Sequence, residues 1–196
     1  MINAIGTFSE YVNRYMPSRS QENSKWPGEH HFVAAYLLPR LFNTLPIVPN
    51  YINPDGTKDI IGDVTYYQDD NHKFAIEVKM GTIRLTKNQF NKWIENPDQT
   101  QHPNLFIAVG TKGLCLLSWL KFVEYYKRAV QKRSGEPPKI GKSGYGSFLG
   151  INELIKHVDD ASRFETSQDP KNAAFEESRF QVTLKENLLN GVSLPQ

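Results

Sequence analysis

Glu77 and Lys79 stand two residues apart in the stretch Lys73 to Met80, where apolar and charged residues alternate. In a β-strand that spacing sends both side chains to one face together with Ala75, while Phe74, Ile76, Val78 and Met80 take the other. Charges facing inward beside an apolar strand are costly unless they are paired or bind a metal. Asp63 opens a second stretch, Asp63 to Tyr67, joined to the first by the turn Gln68-Asp69-Asp70-Asn71. The two read as a hairpin in which the Asp63 carboxylate approaches that of Glu77. Neighbouring carboxylates repel, and a hard cation with oxygen ligands, Mg²⁺ or Mn²⁺ in its place, resolves the conflict. Such an ion lowers the pKa of a coordinated water and neutralises charge on a phosphoryl oxygen. Lys79 beside it can orient that water and stabilise the charge that builds up. The chemistry is phosphodiester hydrolysis; the structural alternative is a salt-bridged hairpin with its charges in water.

The elements around this pair follow from local signals. Phe8 to Tyr15 is amphipathic and precedes a polar loop, Pro17 to Lys25. A helix is expected from about Pro27 to Leu38, ended or kinked by Pro39. Pro46, Pro49 and Pro54 mark a loop. After the hairpin and Gly81, Thr86 and Gln89 form a capping box, with Leu85 and Phe90 as the hydrophobic staple of a helix that reaches Ile94. Leu105 to Val109 and Leu114 to Trp119 read as strands, and Leu120 to Lys132 as a helix. The Gly-, Pro- and Lys-rich stretch Ser134 to Gly146 reads as a mobile or substrate-facing loop. Ile151 to Val158 reads as a short helix, and the acidic tail after it is left unassigned. This order predicts an α/β fold, a central mixed sheet flanked by helices.

At 196 residues the chain fits one domain of 1–196, since single cores usually run to about 100–200 residues. Its core is expected over about 27–120, with a basic helix, a loop and accessory helices in 121–196. No apolar run approaches the roughly 20 residues that span a bilayer, so no membrane contact is expected. Met1 to Phe8 shows no secretory pattern, and Cys115 is the only cysteine. A cytoplasmic, reducing location is the default expectation. The net charge of +2 is uninformative, but Lys and Arg are dense between Lys121 and Lys142, where only Glu124 and Glu136 oppose them. Lys127, Arg128, Lys132, Arg133, Lys139 and Lys142 are therefore candidate DNA phosphate contacts. A solvated helix face explains them equally well.

Asp63 followed by Glu77-Val78-Lys79 resembles the active-site motif of the PD-(D/E)XK nuclease superfamily. That superfamily includes many type II restriction endonucleases, junction resolvases, and phage and repair nucleases. Here Ile60-Ile61-Gly62 leads into Asp63, so Gly62 stands where the proline of the motif's name would be. The resemblance covers roughly Gly28 to Val109. It implies a restriction endonuclease-like core, with Asp63, Glu77, Val78 and Glu29 as metal ligands and Lys79 as the catalytic lysine. Glu29 shares a helix face with Phe32, Val33 and Tyr36, and the superfamily often places an acid on such a helix. Its plainer explanation is a first-turn glutamate favoured by the helix dipole. Gln89 matches a glutamine that several families, resolvases among them, carry on the helix after the lysine; the capping box accounts for it without function.

Other candidates are weaker. A second acid-x-lysine, Asp169-Pro170-Lys171, contains proline and lies in a polar stretch, so it is no central strand. His30 and His31 are adjacent and diverge by about 100° on a helix. His72, His102 and His157 are isolated, and Asp59 falls in the loop before the strand. Ser143-Gly144-Tyr145-Gly146 lacks the context of a P-loop. The expectation is a Mg²⁺-dependent DNA endonuclease, type II restriction endonuclease-like, acting on double-stranded DNA as a homodimer because one site cuts one strand. The alternatives are a structure-specific, phage or repair nuclease, and a non-catalytic binding module on the same fold. Base readout is assigned to the loop Ser134 to Gly146 and the arm Tyr11 to Trp26.

Overall fold

Side chains that alternate between two apolar clusters along three neighbouring strands dictate the architecture. In the computed structural model, which describes residues 8–15, 32–37, 47–48, 62–67, 73–96 and 102–189, strand β3 (Lys73–Met80) sends Phe74, Ile76, Val78 and Met80 into one apolar cluster. Strand β5 (Leu105–Gly110) sends Leu105, Ile107 and Val109 to that cluster, and Phe106 and Ala108 to a second one. Strand β6 (Gly113–Ser118) divides Leu114 and Leu116 from Cys115 and Leu117 in the same way. A sheet apolar on both faces must be covered on both.

The strands β1 (Ile47–Val48), β2 (Val64–Tyr67), β3, β5, β6 and β8 (Arg163–Glu165) form one sheet in the order β1-β2-β3-β5-β6-β8. Only β3 and β5 run parallel; the other neighbours are antiparallel. The mixed sheet follows from the connections. β2 and β3 pair antiparallel, a tight turn makes β5–β6 antiparallel as well, and a helix lies between β3 and the parallel β5. A separate pair, β4 (Thr82–Ile83) with β7 (Leu149–Gly150), lies beyond the end of β3.

One face is covered by α1 (Phe8–Tyr15), by the π-helical turn α2 (Val33–Leu37) and by α6 (Pro170–Leu189), through Phe8, Val12, Val33, Tyr36, Leu37, Phe180 and Leu184. The other is covered by α3 (Lys87–Phe90), which continues as a π-helical turn Asn91–Glu95, by α4 (Trp119–Ser134) and by α5 (Ile151–Ile155). Each large apolar side chain buried in these layers contributes roughly 1.5–3 kcal/mol. Among the described residues no helix is long and apolar enough to cross a membrane.

The structure adjusts several sequence expectations. The proline-marked loop contains strand β1, which lies between Pro46 and Pro49. Ser118, expected in a strand ending at Trp119, caps α4 by accepting from the Lys121 N–H at 3.4 Å, and Gly135 ends that helix with φ 74°. The helix expected to Val158 stops at Ile155. Of the loop expected from Ser134 to Gly146, Ser134 ends α4 and residues 140–146 are a built hairpin: Ile140 bridges to Gly146, and the Gly141 N–H donates to Tyr145 O at 2.8 Å. The unassigned tail supplies β8 and α6, the longest helix among the described residues, so both core layers draw on residues after 120.

Candidate active site

Gly62 allows the site to form. A Cβ at this position would lie 2.6 Å from Ile76 O, so any side chain, proline included, would collide with the β3 backbone. The chain therefore passes close against β3, and Asp63 turns its carboxylate onto that strand, where Oδ2 accepts the Val78 N–H at 2.8 Å. Val64 pairs with Ile76 in the antiparallel ladder; one step further along that register sets Asp63 opposite Glu77. Facing residues of an antiparallel pair project to the same side.

Glu77 lies in the middle of β3 with Phe106 of β5 as its ladder partner, and it is 4% exposed. Its Oε1 forms an ion pair with the Lys79 ammonium, whose side chain is 13% exposed. The pair is thus buried, unlike the salt bridge in water of the structural alternative. Removing both charges from solvent costs several kcal/mol per ion before their attraction repays it. The Asp63 carboxylate, docked on the Val78 N–H, brings a second acid to the stretch of β3 that carries this pair.

Gln89 closes the capping box and also reaches Glu77. Its Oε1 accepts the Thr86 N–H at 3.1 Å, and its backbone N–H donates to Thr86 Oγ1 at 3.2 Å, which closes the capping box. Its Nε2 points the other way and lies 3.4 Å from Glu77 Oε1. That bond is long and weak, but it ties the first turn of α3 to the carboxylate.

The donor set suits a hard divalent ion. Asp63 and Glu77 offer carboxylate oxygens, and Val78 can offer only its backbone carbonyl. Among the described residues no three His, Cys, Asp or Glu side chains converge. Mg²⁺ is commonly held by one or two carboxylates and keeps several waters, so two suffice. Glu29 and Asp59 lie outside the described residues, as do His30, His31, His72 and the arm beyond Tyr15. The described continuation of the Glu29 segment, Phe32 with Val33–Leu37, packs on the sheet face opposite Glu77.

The remaining candidates separate cleanly. Asp169 is a cap: its Oδ1 accepts the Lys171 N–H at 3.0 Å at the start of α6. His102 stacks on Trp119 with centroids 3.9 Å apart, and His157 lies 3.9 Å from Glu153. Cys115 is buried in the sheet, and desolvation pushes its thiol up to about 12, so it is no nucleophile. Lys127, Lys132, Arg133 and Lys142 are exposed. Arg128 is held by Glu124 at 2.7 Å and Lys139 is paired with Glu136, which weakens those two as phosphate contacts.

The loop Ser134 to Gly146, assigned to base readout from sequence, contributes Tyr145 to a group that sequence reasoning did not assemble. The β4–β7 register sets Arg84 opposite Phe148, and Thr86 bridges to Tyr145. The Arg84 guanidinium covers the Tyr145 ring at 3.9 Å and lies 5.5 Å from that of Phe148. These residues are distant in sequence, and no local motif joins them. Compared with known proteins, the chain matches no protein-family model and no curated sequence.

Proposed function

We propose that this chain is a Mg²⁺-dependent deoxyribonuclease, with Asp63, Glu77 and Lys79 as its catalytic cluster on a restriction endonuclease-like core. The observation that carries the reading is a buried Glu77–Lys79 pair on the central strand, with the Asp63 carboxylate docked on the next residue of that strand. A pair kept only for stability has no need of a second carboxylate, and well-packed apolar residues of similar volume serve the fold as well or better. Strand order supports the reading too: β2 and β3 antiparallel, β5 parallel to β3 with α3 between, is the succession expected of that core.

Asp63 and Glu77 hold the ion in this scheme, with the Val78 carbonyl as a further oxygen donor. When bound, the ion neutralises charge on the phosphate and makes a coordinated water more acidic. Lys79 donates to the attacking water or to a non-bridging phosphate oxygen, stabilising charge where it develops. Gln89 keeps the Glu77 carboxylate oriented from α3. Lys127, Lys132, Arg133 and Lys142 attract the DNA backbone, each neutralised phosphate releasing counterions.

The test is cleavage of supercoiled plasmid, linear duplex and branched DNA with Mg²⁺ or Mn²⁺. Discrete fragments from plasmid and linear duplex identify a restriction-like enzyme, and a pair of chains is then needed to cut both strands. Cutting confined to branched or partly single-stranded DNA identifies a structure-specific nuclease. No metal-dependent cleavage of any of them removes the proposal and leaves a non-catalytic module.

A further inference from the structure

The group around Arg84 is the part of the molecule that the catalytic scheme does not use. Phe148 is 42% exposed, Arg84 is exposed, and Tyr145 is half-buried beneath the guanidinium. The two rings lie 6.4 Å apart at 31°. Among the described residues no carboxylate pairs with Arg84, whereas Arg128, Arg163 and Arg179 each have one.

The group is also built, not incidental. The Gly146 N–H donates to Leu85 O at 2.9 Å, and a Cβ on Gly146 would strike the Phe90 ring at 2.4 Å, so the hairpin is pressed against α3. Ser147 is bonded on both sides: its carbonyl accepts the Tyr126 hydroxyl at 2.5 Å, and its Oγ accepts the Lys139 N–H at 3.1 Å. Gly144, with φ 76°, makes the turn that returns Tyr145 to Thr86. Thr86 is in turn bonded to Gln89, which reaches Glu77. A chain of contacts therefore connects the aromatic group to the catalytic carboxylate across the first turn of α3.

We infer that Arg84, Tyr145 and Phe148 form a platform that takes an unpaired nucleotide next to the catalytic cluster. The substrate class is then DNA with a single-stranded segment — an overhang, a flap or a branch — in preference to continuous duplex. This inference rests on the nuclease reading for its biological sense. The physical reason is the chemistry of an exposed ring. Inside a duplex the base faces are stacked on one another, leaving edges and phosphates, and an aromatic side chain gains little from either. A splayed base presents its faces, which stack on aromatic rings and on guanidinium planes alike. Arg84 can serve the base and the adjacent phosphate together, and exposed Lys142 in the same hairpin adds positive charge. As a stabilising device the group explains less. An exposed cation–π contact contributes only about 0.5–1 kcal/mol and does not require a second, exposed ring.

The test uses the full chain without divalent metal, so that binding is read apart from cleavage. Fluorescence anisotropy compares a fluorescein-labelled blunt duplex with the same duplex carrying a single-stranded overhang, and 2-aminopurine in the overhang reports stacking. The wild-type chain should prefer the overhang DNA and quench the 2-aminopurine. Phe148→Ala should weaken overhang binding by about fivefold to a hundredfold, the range of one lost base stack. It should leave blunt-duplex affinity unchanged and abolish the quench. Phe148→Trp should restore both, while Phe148→Leu, which keeps apolar bulk without a π face and guards against a folding defect, should not. Equal wild-type affinity for the two DNAs, or equal loss on both in the Phe148 variants, overturns the platform. Absence of cleavage on every DNA, with overhang preference intact, removes the nuclease reading and leaves the platform standing. Cleavage of blunt and overhang DNA alike, with no preference in binding, does the reverse.

Discussion

Two buried glutamates, one on each side of the sheet, are held in different ways. Glu177 on α6 is 7% exposed and accepts hydrogen bonds from the Phe8 N–H at 3.1 Å, the Tyr36 hydroxyl and the Gln181 amide at 2.9 Å. These three donors come from α1, α2 and α6, so the carboxylate ties three helices of one layer together. Glu77 on β3 has an ammonium and a distant amide for company, with a second carboxylate brought up by the neighbouring strand. One arrangement converges donors on an acceptor. The other brings two acids and an ammonium to one strand. Burial is much the same, so it does not separate the two glutamates; the chemistry of their partners does.

The largest expected effects come from removing each carboxylate in turn. Asp63→Ala or Glu77→Ala should reduce DNA cleavage to background and leave low-salt DNA affinity largely intact, because phosphate contacts lie elsewhere. Glu177→Ala should do the opposite. It removes an acceptor from the Phe8 N–H and from the Tyr36 hydroxyl, at about 1–3 kcal/mol for a buried group left unsatisfied. The melting temperature should fall while single-turnover cleavage per folded molecule survives. Single-turnover cleavage beside thermal melting separates the two, and if the Glu77 and Glu177 variants lose folding and cutting in parallel the contrast fails.

A second, smaller effect concerns the cation. Mg²⁺ and Mn²⁺ should raise the melting temperature of the wild-type chain and of Glu177→Gln, because a ligand that binds only the folded state stabilises it. Neither ion should do so for Asp63→Ala. Ca²⁺ should bind and permit DNA binding without turnover, since it accepts looser geometry and polarises water less. Turnover in Ca²⁺ at the Mg²⁺ rate counts against the scheme. Glu29→Gln should slow cleavage strongly if that acid assists the ion, with stability moving by only a few tenths of a kcal/mol as for a weakened dipole contact. A fully active variant removes Glu29 from the site.

What could be read beforehand follows the range over which each signal acts. Strand β3 was legible end to end, because its alternation is strict and both of its faces are covered. The capping box of α3 was legible because Thr86 and Gln89 are one turn apart. Helix α6 was not, because its apolar code is partly inverted: Phe175 and Val182 are exposed while Glu177 is buried. Strands β1 and β8 are too short to carry a period and exist by pairing with β2 and β6. Within the site, the Glu77–Lys79 spacing is local and was visible. The reach of Gln89 to Glu77 depends on how α3 packs against the sheet, and Gly62 looked like a neutral departure from proline until β3 was found against it.

The smallest effect is the most diagnostic of how α3 serves the site. Gln89→Glu keeps an oxygen for the Thr86 N–H, since glutamate serves a capping box as well as glutamine does. Melting should therefore stay close to wild type. The other end of the side chain changes more. A carboxylate oxygen replaces the Nε2 that lies 3.4 Å from Glu77 Oε1, so a donor becomes a like charge. The cluster becomes more negative, and the Mg²⁺ concentration for half-maximal cleavage should fall. The rate at saturating Mg²⁺ should fall too, because Glu77 loses the group that orients it from α3. Gln89→Ala should lower the rate too, since it removes the same orienting group, but should differ in melting and in Mg²⁺ requirement. It removes the reciprocal half of the capping box, about 0.5–1.5 kcal/mol for the hydrogen bond, and leaves the Mg²⁺ requirement where it was. Cleavage against Mg²⁺ concentration, with melting of the same preparations, gives both readings. If Gln89→Glu matches wild type in rate and in Mg²⁺ dependence, Gln89 is a cap alone, and Glu77 keeps its orientation without help from α3.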